Sequence, residues 1–200
     1  MTEAERLAAT DPQAMLDRLR ARGGISRRKG LLFVCAVLRQ GLTTDSTAAW
    51  QSLELAERWA DGEATDEEVE RFRQANPAPW AALTPLALDY LNPSIPFFPP
   101  AMRAAMPGLL RDLFGNPFRP PAPVAPPLLA YNDMTVQRLA QAAYEERALP
   151  SGHLDPARLA VLADALDEAG CTDAALVAHL RSPDPHVRGC WALDAVLGLS

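Results

Sequence analysis

Apolar residues recur along this chain at helical spacing, not in alternation. Leu31, Val34, Cys35 and Leu38 fall at i, i+3, i+4 and i+7, a single stripe on a helix of 3.6 residues per turn. Leu53, Leu55, Ala56, Trp59 and Ala60 mark a second such face. No stretch carries the alternating β-branched pattern of a half-buried strand. The expected fold class is therefore all-α.

Helix starts are legible in the polar residues. Thr2 with Glu5 and Thr65 with Glu68 fit the capping box, in which two side chains satisfy free backbone N–H groups reciprocally. Asp-Pro occurs at Asp11-Pro12, Asp155-Pro156 and Asp184-Pro185. Asp caps a helix there, and Pro fills the first helical position, where its missing N–H costs nothing. These signals predict N-terminal helices near 3–9, 12–22, 26–40, 46–61 and 65–75. C-terminal helices are expected from Asn132 or Asp133 to Ala148, from Asp155 to Gly170, near 173–181, and from Pro185 to Leu197.

Between them, Pro77 to Pro127 holds most of the prolines, each removing a backbone donor and fixing φ. Its large apolar residues, Trp80, Leu83, Tyr90, Phe97, Phe98, Leu110, Phe114 and Phe118 among them, are too many to leave in water. The expectation is an extended strap with short helices near 79–89 and 100–113. The architecture predicted is thus an irregular multi-helix fold: a helical half at 1–76, a proline- and aromatic-rich strap at 77–127, and a helical half at 128–200. Each half is small, so one shared core is expected.

Charge narrows the function. The net charge of −6 disfavours a nucleic-acid binder, which needs a local excess of cations to neutralise phosphate. One electropositive run stands out: Arg18, Arg20, Arg22, Arg27, Arg28 and Lys29. It suits an acidic partner or nucleic acid, or it simply complements a helix dipole and keeps the surface soluble. The opening Met1-Thr-Glu-Ala-Glu-Arg lacks the basic start and apolar core of a secretory signal, and Leu31–Leu38 is far too short to span a bilayer. Three cysteines, far apart, fit a reducing compartment. A cytoplasmic protein without a membrane partner is expected.

The one concentrated chemistry is C-terminal. His179, His186 and Cys190 fall close together, with Cys171 upstream. Zinc takes imidazole and thiolate ligands tetrahedrally, and His186 and Cys190, four apart on the predicted last helix, share a face. Cys171 or His153 is the fourth ligand this reading needs. Cys171 lies eight residues before His179, roughly 12 Å along a helix at 1.5 Å per residue, and joins the set only if its segment folds back. The competing reading makes the cysteines small buried residues and the histidines caps or surface groups. A hydrolase would need Cys35, Cys171 or Cys190 beside His153 or His186, and no nucleophile-elbow sequence supports one. Asp164, Asp167, Glu168 and Asp173 read as a solvated helix face. P-x-x-P spacings such as Pro93–Pro96 and Pro117–Pro120 fit partner grooves, but the interleaved phenylalanines favour packing inward.

Several blocks resemble an uncharacterised family of planctomycetes and related large-genome bacteria. They are the opening Met1-Thr-Glu-Ala-Glu, LLRDLFGNPFRP at Leu109–Pro120, NDMTVQRLAQAAYEER at Asn132–Arg147, LAVLADALDEAGC at Leu159–Cys171 and HVRGCWALDAVLG at His186–Gly198. FGNPFRP and HVRGCW are the most specific. Arg6 stands where that family has Trp, and a single Cys35 stands where its third helix is richer in cysteine. Arg158–Arg181 faintly resembles the helical repeat-companion domain. The resemblance implies small, multiply duplicated helical modules and names no activity.

The leading expectation is a non-catalytic protein–protein interaction or adaptor module with an unidentified protein partner and no cofactor. The alternatives are a structural zinc site in the C-terminal cluster, and an acidic-partner or nucleic-acid contact through Arg18–Lys29.

Overall fold

The computed structural model describes residues 10–21, 23, 25–41, 46–77, 98–116 and 124–199. The predicted helices near 3–9 and 79–89, the Thr2–Glu5 capping box, Arg22 and the P-x-x-P segments lie outside them, as does much of the predicted strap. The described residues form an all-α protein of ten helices with one minimal hairpin. The helices are α1 (Pro12–Ala21), α2 (Arg27–Gly41), α3 (Thr47–Ala60), α4 (Asp66–Ala75), α5 (Pro100–Phe114), α6 (Pro126–Leu129), α7 (Tyr131–Glu145), α8 (Pro156–Glu168), α9 (Ala174–Leu180) and α10 (Trp191–Leu197). Strands β1 (Arg147–Ala148) and β2 (His153–Leu154) stand between α7 and α8.

The chain divides into two compact units, Met1–Leu110 and Arg111–Ser200. Sequence pattern placed its breaks at 76/77 and 127/128 instead, because proline content changes there. The boundary between units falls inside α5, so the last turn of that helix, Asp112 included, counts with the second unit.

In the first unit α2 packs on α3, and α3 on α4. Every residue from Gly30 to Val37 is buried, so α2 is covered all round, the mark of a central helix. The expected stripe of Leu31, Val34 and Cys35 is thus only part of its apolar surface. Thr65 caps α4 as predicted, accepting from the Glu68 N–H at 3.1 Å, and Asp66, Glu67 and Glu68 suit the positive end of its dipole. Within this core Arg39 of α2 meets Glu57 of α3 through two parallel N–H···O bonds of 2.8 and 2.9 Å. Their side chains are 2% and 4% exposed.

In the second unit α7 and α8 pack on each other, with α9 against α8 and α10 against α7. Val136, Ala140, Leu159, Leu162, Leu166, Leu176, Leu180 and Leu193 fill the core. Asp155 caps α8 at 2.9 Å and Asp173 caps α9. Gly170, at φ +86°, ends α8 as expected, and the Cys171 N–H closes the turn on the Leu166 carbonyl.

The third Asp-Pro does not start a helix. Residues 185–190 are non-helical, and the last helix begins at Trp191. Asp184 is held in a turn with Ser182. Val187 forms a bridge with His153, and the Leu154 N–H bonds to the His186 carbonyl at 2.9 Å. Gly189 then takes φ +88°, a left-handed conformation that interrupts any helix there. Long-range backbone pairing has overridden a local start signal.

Candidate metal centre

Asp112 lies on the last turn of α5, where Met106, Leu109, Leu110 and Leu113 are all buried. The Asp112 residue is 3% exposed. His179 is the penultimate residue of α9, a helix whose start Asp173 fixes. His186 is carried inward by the segment paired with β2. Cys190 follows the Gly189 turn as the N-cap of α10. All four belong to the second unit.

The four ligand atoms lie within 4.8 Å of one another, forming a group able to hold a metal ion. Asp112 Oδ1 is 3.1 Å from His179 Nε2 and 2.7 Å from His186 Nδ1. Cys190 Sγ is 3.3 Å from His179 Nε2 and 3.8 Å from His186 Nδ1. With bonds of 2.0–2.3 Å, a zinc tetrahedron has edges of about 3.3 Å between N or O ligands and about 3.6 Å to sulfur. The two O–N separations are shorter than that edge, at hydrogen-bond length, and the two to sulfur lie on either side of the longer value. Each of these two nitrogens has both an Asp112 oxygen and the Cys190 sulfur within reach.

Surrounding groups orient the set. The Val187 N–H donates to Asp112 Oδ2 at 2.9 Å, and His186 Nε2 faces the Ser182 carbonyl at 3.3 Å. The Trp191 ring lies 5.0 Å from that of His179, and the two histidine rings meet edge-on at 4.7 Å. Gly115 stands behind Trp191 at φ +55°, where a Cβ would come within 3.0 Å of the indole.

Burial alone would raise the Asp112 carboxyl, but hydrogen bonds and attraction from His179 and His186 outweigh it and hold the group below its ordinary range. Burial alone would lower His186; the Asp112 contact reverses this and raises it. For Cys190, burial and the neighbouring Asp112 charge act together and push the thiol well above its usual value. Burial lowers His153, with Asp112 opposing.

This combination does not suit a nucleophile. A catalytic cysteine needs thiolate character and access, whereas Cys190 is fully buried. Cys35 is buried in the first unit. A groove of about 460 Å³ in that unit is lined by Glu54, Arg58, Glu68, Arg71 and neighbouring side chains, with Arg58 paired to Glu68 at 2.9 Å, and its lining holds no histidine or cysteine.

The structure brings together His179, His186 and Cys190 but places the fourth donor elsewhere than sequence reasoning did. Cys171 follows the Gly170 turn at the start of the connection to α9, packs against the apolar core and is not among the four groups that come together. His153 joins the neighbourhood through its backbone pairing with Val187 and lies outside the four-donor group. The fourth member of the group is Asp112, 67 residues before His179. Its one sequence signal was a carboxylate among the leucines of LLRDLF. His186 and Cys190 meet through a turn, not along a helix face.

The basic run is largely engaged within its own unit. Arg20 pairs with Asp17 at 2.8 Å, Arg28 with Asp61 at 2.6 Å, and Arg27 stacks over the Trp59 ring at 4.0 Å. Of the acidic residues around Gly170, Asp164 and Asp167 pair with Arg181. No helix among the described residues is long and apolar enough to cross a membrane.

Comparison with known proteins yields no relative: no family model matches this chain, and neither the curated proteins nor the solved structures contain a match.

Proposed function

We propose that this chain is a non-catalytic helical interaction module whose second unit is held by a structural zinc ion bound to Asp112, His179, His186 and Cys190. The observation that carries this reading is the convergence of four donors of the right chemistry, drawn from separate segments, on one point in a buried site. Structural zinc sites are closed, with every position filled by protein, while catalytic ones keep a position open. Three of these side chains are 4% exposed or less. His179, at 19%, is screened by Trp191. One thiolate, two imidazoles and a carboxylate suit zinc, whereas magnesium and calcium prefer all-oxygen shells.

The role as an interaction module rests on what surrounds that site. The buried thiol has no access for a substrate, and the resemblance carried by FGNPFRP and HVRGCW points to duplicated small modules. The reading in which Arg18–Lys29 contacts an acidic partner has less support, since Arg20, Arg27 and Arg28 already have partners within the fold.

Elemental analysis of purified protein, with a chelator-treated sample melted alongside, tests the proposal. One zinc per chain and a chelator-lowered melting temperature are expected. Protein that contains no zinc, takes none up and melts unchanged with chelator would remove the metal centre. A defined turnover on any substrate would remove the non-catalytic role.

A further inference from the structure

We infer that the ion at this centre is bound with opposite histidine tautomers, His179 through Nε2 and His186 through Nδ1, and with Asp112 monodentate through Oδ1, because two backbone groups dictate it. The inference rests on the zinc reading above and specifies its ligand atoms. A carbonyl oxygen only accepts. His186 Nε2 faces the Ser182 carbonyl at 3.3 Å, so in the neutral, metal-bound ring that nitrogen carries the proton. Nδ1, which is at hydrogen-bond distance from Asp112 Oδ1 in this structure and also faces Cys190 Sγ, then gives its lone pair to the ion. For His179 the nitrogen facing the same two donors is Nε2.

Backbone position explains the difference. His186 belongs to a segment pinned on both sides: its carbonyl accepts from the Leu154 N–H, and the next N–H, that of Val187, is donated to Asp112. The main chain therefore passes close to the centre, and the ring nitrogen nearest the backbone, Nδ1, is the one that reaches it. Asp112 Oδ2 is engaged by that Val187 N–H at 2.9 Å, which leaves Oδ1 as the coordinating oxygen. The result is a tetrahedral set of one sulfur, two nitrogens and one oxygen, whose histidine and carboxylate orientations come from main-chain partners. Such outer partners set ligand tautomer and basicity in metal sites generally.

The test uses full-length ¹⁵N-labelled protein loaded with zinc, and a parallel sample loaded with ¹¹³Cd. Long-range ¹H–¹⁵N correlations should show one ring protonated at Nε2 and metal-bound at Nδ1, assigned to His186, and one with the reverse pattern, assigned to His179. ¹¹³Cd coupling should reach those same two nitrogens, and the Val187 amide should exchange slowly. Metal bound with both rings ligated through Nε2 would overturn this inference and leave the zinc reading standing. A Val187 amide exchanging as fast as an exposed one would overturn the pinning of Asp112. Failure of either ion to bind would remove the zinc reading itself, and this inference with it.

Discussion

Arg39 with Glu57 in the first unit, and Asp112 with His179, His186 and Cys190 in the second, are both polar sets buried among helices. They differ in how far each satisfies itself. The guanidinium offers a fork of donors to a carboxylate that only accepts, and two bonds of 2.8 and 2.9 Å close the pair. In the second set one carboxylate oxygen faces two ring nitrogens at hydrogen-bond distance, and the thiol beside them is pushed toward its protonated form by burial and the Asp112 charge. A closed ion pair needs nothing further. On the zinc reading, a cation among these groups would take the place of the shared protons and also release the thiol proton. Burial alone therefore does not identify a site; the chemistry of the groups that converge does.

The largest effect that would break this comparison lies in the second set. Cys190→Ala should abolish stoichiometric zinc, measured by elemental analysis, and lower the melting transition of the second unit severely. Binding contributes about 10–16 kcal/mol in small structural zinc peptides, a term as large as the about 5–15 kcal/mol stability of an ordinary domain. Next comes the first set. Glu57→Ala removes the carboxylate that meets the buried guanidinium in two bonds and should destabilise by about 3–5 kcal/mol in denaturant melts, with zinc content unchanged. Combining Arg39→Met with Glu57→Leu should restore stability or exceed the original by up to about 4 kcal/mol, because a closed pair is replaceable by apolar packing. No apolar replacement of Asp112 and Cys190 should restore zinc.

A smaller effect is expected at Gly115. Gly115→Ala forces a non-glycine residue to φ +55° and pushes on Trp191. It should cost about 1–3 kcal/mol by denaturant melt and weaken zinc retention through His179. Smallest of all, Cys171→Ser should keep one zinc per chain and cost less than about 2 kcal/mol, since Cys171 is only partly buried and lies outside the donor group. Loss of zinc in that variant would return Cys171 to the ligand set in place of Asp112.

Helix content was written locally. Thr65, Asp11, Asp155 and Asp173 each bond to the first turn of the helix that follows, and Gly170 ends the helix before it. Capping depends on residues within a few positions of one another, so one pass along the chain finds it. The same locality explains the error at Asp184-Pro185, where pairing with His153 and Leu154 decided the conformation.

The sequence by itself determined the fold class, most helix starts and three of the four members of the buried group, because His179, His186 and Cys190 crowd one short stretch. Tertiary structure alone decided the fourth. Asp112 reaches the site across 67 residues of chain, and a carboxylate in a leucine-rich helix carries no mark of what it will face. Tertiary structure also decided that Cys171 stays away and that His186 turns Nδ1 inward. Both depend on where the backbone is pinned by partners distant in sequence, and spacing along the chain holds no record of that.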